Sequence, residues 1–161
     1  MEILKKLADA TGSISDAQDK IELLNSLQHA FSSLGFGSFN LGCHKADKHE
    51  LALNPTLTTW SDDFMTEYER QNWADFDPNL ARAAVAEKPM SWSNEDRYVC
   101  RHQQSYLEFL RNSPLKGGLM IPLARRPGTI SCVSVESHSE KQFDDRTTHA
   151  VAVVANSGLL K

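Results

Sequence analysis

Residues 118–123 and 129–136 are two apolar runs, rich in β-branched and small side chains, that flank the turn-forming stretch Arg125-Arg126-Pro127-Gly128. Runs joined across so short a turn pair antiparallel, because a parallel connection needs a crossover of a dozen or more residues. A second extended pair is read at 37–43 and 51–53, with the polar stretch 44–50 as its hairpin loop. Helical patterns surround these strands. Ser15-x-x-Gln18 has the capping-box form, and Ile21, Leu24, Leu27, Phe31 and Leu34 then repeat at helical spacing until Gly35, which makes a helix of about five turns. Further helices are expected over 59–72, from Asp77-Pro78 to 87, over 103–111, and over 144–156 with Val151 and Val154 inward. Strands adjacent in sequence and bracketed by helices describe an α+β sandwich rather than a doubly wound fold.

A chain of 161 residues suits one domain. Its net charge of −4 removes the basic footprint that phosphate binding demands, so the chain by itself is not expected to bind DNA. Arg125-Arg126 reads as a solvated turn. Cys43, Cys100 and Cys132 show no C-x-x-C spacing and are expected to be reduced and buried. Residues 1–10 mix Lys and Asp among the apolar positions and lack a signal-peptide core, and no run reaches the roughly 20 apolar residues of a membrane span. The expectation is a cytoplasmic protein without membrane contact.

Motifs for catalysis are missing: there is no G-x-S-x-G, P-loop, G-x-G-x-x-G after a strand, or H-E-x-x-H, and no nucleophile has a recognisable base partner. An enzyme is not expected. His44, Asp47, His49 and Glu50 are possible metal ligands, but they stand in an expected loop with no second cluster to complete a four-ligand site. The informative segment is Trp60, Phe64 and Tyr68, which fall at i, i+4 and i+8 and form one aromatic stripe on a helix. Such stripes usually serve core packing. Here Trp73 and Phe76 extend the aromatics directly into Asp77, an apolar wall ending in a carboxylate, which is the composition of a ligand pocket. Asp77 is also placed to cap the helix opened by Pro78, and a carboxylate has enough lone pairs for both tasks.

These residues together resemble the autoinducer-binding domain of LuxR-type transcriptional regulators, over nearly the whole chain. That family carries W-x3-Y-x4-Y-x2-(apolar)-D-P on a helix, with a Tyr one turn before the Trp and another Trp fifteen residues past the Asp. The corresponding residues are Trp60, Phe64, Tyr68, Trp73, Phe76, Asp77 and Pro78, with Trp92 fifteen positions after Asp77. Gly118 to Leu123 looks like the family's G-x-x-x-P-L strand, and Ser134 matches a position where Ser or Thr often faces the ligand.

The resemblance implies an α-β-α sandwich, with an antiparallel sheet of about five strands and helices on both faces. It implies an N-acyl-homoserine lactone as ligand, with no cofactor or metal. Asp77 would accept the ligand's amide N–H, and Tyr68 and Ser134 would contact the acyl oxygens. Trp60, Phe64, Trp73, Phe76, Trp92, Leu115, Met120 and Cys132 would line the pocket. In the ungapped register Phe64 replaces the Trp that donates to the lactone carbonyl, and phenylalanine cannot donate. A register shifted by about one helical turn instead leaves Trp60 near that face; the spacing of Tyr68 from Asp77 favours the ungapped one.

The family's regulators dimerise and read DNA through a C-terminal helix-turn-helix domain, which this sequence does not include. The chain is therefore expected to be an expressed fragment, or a natural truncation that pairs with full-length partners. The alternative is a homologue that binds no lactone, or no ligand, and acts through dimerisation.

Overall fold

The computed structural model describes residues 2–139 and 143–159. In chain order it runs α1 (Glu2–Asp16), α2 (Lys20–Ser33), β1 (Ser38–Lys45), α3 (Lys48–Leu53), β2 (Leu57–Thr58), α4 (Asp62–Arg70), a 3-10 turn (Trp73–Asp75), α5 (Pro78–Val85), β3 (Met90–Ser93), α6 (Arg101–Arg111), β4 (Gly117–Pro122), β5 (Ile130–Ser137) and α7 (Asp145–Leu159). The strands form one sheet in the order β2-β1-β5-β4-β3, antiparallel at every pairing. Among the described residues no helix is long and apolar enough to cross a membrane.

Both faces of the sheet are covered, which gives the α-β-α sandwich expected from the sequence. On one face Phe39, Leu41, Val133 and Val135 pack against Ile14 of α1, Leu27 and Phe31 of α2, and Val151 and Val154 of α7. Val133 and Val135 are completely buried, each contributing about 1.5–3 kcal/mol by leaving water. On the other face Met120, Cys132 and Trp92 meet Leu51 of α3, Tyr68 of α4, Leu80 of α5, and Leu107 and Leu110 of α6. The two-residue period of β5 divides it cleanly, with Val133 and Val135 toward the first layer and Cys132, Ser134 and Glu136 toward the second.

Several expectations change. The capping box at Ser15 and Gln18 does not form, because residues 2–16 are already helical. The α2 cap is Asp19, whose side chain takes the Glu22 amide, while Glu22 reaches back to the Gln18 amide at 2.7 Å. The α2 helix is correspondingly shorter than five turns, and Ile21 is exposed. It ends where expected: Gly35 at φ 101° closes a Schellman motif, with Phe36 N–H bonded to the Phe31 carbonyl.

The 44–50 loop and 51–53 strand are instead the helix α3. Asp47 accepts the Glu50 amide and Glu50 accepts the Ala46 amide, so this segment carries the reciprocal cap that the Ser15 segment lacks. Of the residues considered as metal ligands, Asp47 and Glu50 are engaged in this cap, His49 pairs with Asp75 at 2.6 Å, and His44 Nδ1 accepts the Arg126 amide at 3.2 Å. The partner of β1 is β2, at Leu57–Thr58. The strand β3 was not expected, although its four residues, Met90-Ser91-Trp92-Ser93, alternate apolar and polar. Of the cysteines, Cys132 is buried, Cys43 half-buried and Cys100 exposed, so the expectation of three buried thiols holds only for the first.

Candidate ligand-binding site

Between the sheet and the second helical layer lies a partly open cavity, with about 40 Å³ open to the centre of a water molecule. That is room for a few waters. Its floor is Asn40, Met120, Cys132, Ser134 and Glu136 on the sheet, and its walls come from α3 to α6 together with Trp92 and Leu115. Trp60 and Phe64 are its only lining residues that are not buried, so they stand at the solvent side.

The aromatic stripe does assemble, although not on one helix. Ser61 caps α4 by accepting the Phe64 amide, which leaves Trp60 in extended chain before the helix. Trp60 still meets Phe64 edge-on at 5.2 Å, and the Phe64 and Tyr68 rings stack at 6.2 Å. Of the residues expected at the site, Trp60, Phe64, Tyr68, Asp77, Trp92, Leu115, Met120, Cys132 and Ser134 line the cavity, whereas Trp73 and Phe76 do not. Trp73 is one layer behind, stacked on Phe109 at 5.8 Å, and Phe76 stacks on His102 at 4.5 Å. The chain leaves α4 through Asn72 at φ 56° and turns once before Asp77, which carries these two rings away from the stripe's direction.

Asp77 is buried at the head of α5. Its Oδ1 accepts the Asn79 and Leu80 amides at 2.9 and 3.1 Å, and its Oδ2 accepts the Tyr68 hydroxyl at 2.8 Å. Burial raises the carboxyl above its ordinary range, against the opposing pull of Tyr68, the Leu80 amide, Tyr106 and the Asn79 amide. Burial likewise pushes the Cys132 thiol up to about 12, so it stays protonated and serves as a small apolar wall.

Of the polar half of the floor, sequence reasoning named Ser134 and missed Asn40 and Glu136. Glu136 is 1% exposed, with Ser134 Oγ donating to its Oε1 at 2.6 Å and Ser38 Oγ to its Oε2 at 2.8 Å. Burial raises its carboxyl to about 7, against those two serines and the nearby Trp60 indole. Trp60 Nε1 is near enough to Glu136 to act on its charge but lies outside hydrogen-bond geometry, and it has no other partner. Asn40 Oδ1 and Asn79 Oδ1, both on the cavity wall, are also buried without partners. The alternation of β5 was the available signal, since Ser134 and Glu136 must share a face. Tyr106 and Leu110, spaced i and i+4 on α6, form the facing wall.

Such an arrangement can enclose a slender amphiphile. It presents several acceptors, the Trp60 indole N–H and the amides of Asn40 and Asn79 as donors, and an apolar remainder. The hydroxyl protons of Tyr68 and Ser134 are already given to Asp77 and Glu136, so toward any ligand these two oxygens act as acceptors.

A family model described as the autoinducer binding domain matches residues 19–159. No curated protein matches significantly by sequence. Among solved structures, the N-acylhomoserine lactone dependent LuxR family transcription factor CepR2 from Burkholderia cenocepacia superposes with a TM-score of 0.73 at 13% identity, covering 100% of both chains. SdiA in complex with octanoyl-rac-glycerol gives 0.74 at 13% identity, over 99% of this chain and 66% of that one. The chromophore-binding domain of the Stigmatella aurantiaca bacteriophytochrome gives 0.60 at 13% identity, over 99% and 60%. At these identities the likeness is one of fold.

Proposed function

Because the chain belongs to the autoinducer binding domain family, we propose that it is the ligand-sensing domain of a LuxR-type quorum-sensing regulator and that its cavity takes an N-acyl-homoserine lactone. The observation that carries this reading is Asp77: a buried carboxylate on the cavity wall, held in place by α5 and Tyr68, with lone-pair capacity left for one amide N–H. The acyl chain would lie against Leu51, Leu80, Leu110 and Met120, gaining about 0.8 kcal/mol per buried CH2. With so little open space, the ligand would enter by displacing side chains, with Trp60 and Phe64 at the mouth.

A domain that worked by protein contacts alone would have no use for unpartnered polar atoms around a cavity, so the orphaned Trp60, Asn40 and Asn79 atoms favour a ligand. Coupled to a DNA-reading domain, ligand binding would stabilise one arrangement of a dimer and so control transcription in the cytoplasm. The test is a thermal-shift series with homoserine lactones of graded acyl length on the protein and on Asp77→Asn. The reading expects a length-dependent rise in Tm that the variant loses. No response to any lactone would remove it.

A second reading rests on Phe64, which sits at the mouth and offers a lactone carbonyl no donor. In it the head group is a non-lactone acyl amide or ester. The neighbouring structure of SdiA with octanoyl-rac-glycerol is of this kind. Stabilisation by octanoylglycerol with lactones inert would select it.

A further inference from the structure

One side of the cavity is polar where an unsubstituted acyl chain would be matched by apolar groups. On the sheet Asn40 is paired in register with Ser134, and Ser38 with Glu136, so all four belong to neighbouring positions of β1 and β5. Both serine protons are directed at the Glu136 carboxyl. What remains unmatched is the Asn40 amide oxygen, on a side chain only 6% exposed, and the indole N–H of Trp60, which faces Glu136. A purely structural cluster would tie β1 to β5. Those strands are already joined by a backbone ladder of six register pairs, and such a cluster gives no reason to leave a donor and an acceptor unsatisfied beside it.

We propose that Asn40, Glu136 and Trp60 form a second polar subsite that takes a hydroxyl on the ligand's acyl chain, close to the amide, so that the domain prefers a hydroxylated acyl group. This rests on the reading of the cavity as an acyl-amide site anchored at Asp77. A hydroxyl both accepts and donates: it takes the Trp60 N–H and gives its proton to Asn40 or to a free lone pair of Glu136. A ketone at the same place has only lone pairs: it can accept from Trp60 or the Asn40 amide N–H, but it gives no proton to the Asn40 oxygen or to Glu136. A methylene leaves every group unmatched, at the desolvation cost of each. The subsite adjoins the amide site, because Asn40, Trp60 and Glu136 line the same cavity as Asp77.

Calorimetric titration of the full chain with unsubstituted, 3-oxo and 3-hydroxy homoserine lactones of one chain length tests this. The hydroxylated compound is expected to bind roughly tenfold tighter than the other two. Asn40→Leu brings that ratio toward one, while Asp77→Asn weakens all three alike. Equal binding of the three, or tightest binding of the 3-oxo compound, overturns the subsite and leaves the lactone reading intact. Binding by none overturns both. Because the wild-type panel decides by itself, a folding defect in Asn40→Leu does not blunt the test.

Discussion

The Tyr68 hydroxyl donates to one oxygen of Asp77 at 2.8 Å while the other oxygen holds the first amides of α5, so a single carboxylate joins α4 to α5 across the cavity wall. Its structural and ligand roles separate by substitution. Asp77→Ala removes the cap and leaves the buried Tyr68 hydroxyl unpaired, and stability should fall by about 2–3 kcal/mol in urea denaturation. Asp77→Asn keeps the cap, since asparagine caps as well as aspartate, and the Tyr68 hydroxyl can turn to accept from the new amide. It should lose less than about 1 kcal/mol yet lose the lactone-induced Tm rise. An undiminished rise in Asp77→Asn would leave Asp77 with its capping role alone.

Phe64 contacts Trp60 at 5.2 Å and Phe109 at 5.5 Å, and it borders solvent at the cavity mouth. An indole fits there with its extra ring partly in water. If the lactone head group sits under this ring, Phe64→Trp supplies the donor that phenylalanine lacks, and lactone affinity should rise about fivefold with little change in apo stability. Titration with one lactone on both proteins measures it. An unchanged affinity would place the head group elsewhere.

Gly118 leaves room for the β5 backbone and for Trp92: a Cβ there would press on the Val135 carbonyl and stand 2.9 Å from Trp92 Nε1. Displacing the indole does not relieve the clash with the Val135 carbonyl, so Gly118→Ala should part β4 from β5 locally, disturb Trp92 at the cavity edge and cost about 3 kcal/mol. Both readouts are accessible, stability by denaturation and cavity occupancy by the loss of ligand-induced stabilisation. Retention of both would mean that β5 and Trp92 can give way without loss.

How much of this was legible beforehand depends on the range of the forces involved. The β4–β5 hairpin, the helix opened by Asp77-Pro78 and the burial of Val151 and Val154 follow from local period and capping, and all three form. The failures arise where two local signals compete. Ser15 and Asp19 both begin plausible caps, and the upstream residues of α1, which bury Ala10 and Ile14 under the sheet, decide for Asp19. Residues 44–53 read as loop and strand until Asp47 and Glu50 are seen to cap each other's turn. In the site, Trp60, Phe64, Tyr68 and Asp77 line one cavity although Trp60 precedes the helix that the spacing assigned it to, while the αL turn at Asn72 takes Trp73 and Phe76 off the cavity, and no spacing rule anticipates one left-handed residue. Glu136 escaped notice because an acid at a strand end reads as solvent-facing, whereas here it lies buried among Ser38, Ser134, Trp60 and Tyr106 of α6.

That burial gives Glu136 a signature in stability against pH. Its carboxyl is raised from 4.5 to about 7 in the fold, chiefly by loss of water, so the folded chain holds this proton more tightly than the unfolded chain does. Between those two values the native state binds more protons, and stability therefore declines as pH rises from about 4.5 to about 7, levelling off outside that window. The full effect is on the order of 3 kcal/mol. Glu136→Gln keeps the shape and can still pair with both Ser38 and Ser134, but it has no charge to bury. Asp77, also raised by burial, contributes a slope of the same sign, so the informative quantity is the difference between wild type and variant. That difference should be small near pH 4.5 and should favour the variant increasingly up to pH 7 or 8, in urea denaturation followed across the range. Parallel curves would mean that Glu136 ionises as freely as an exposed glutamate, and that water reaches this side of the cavity.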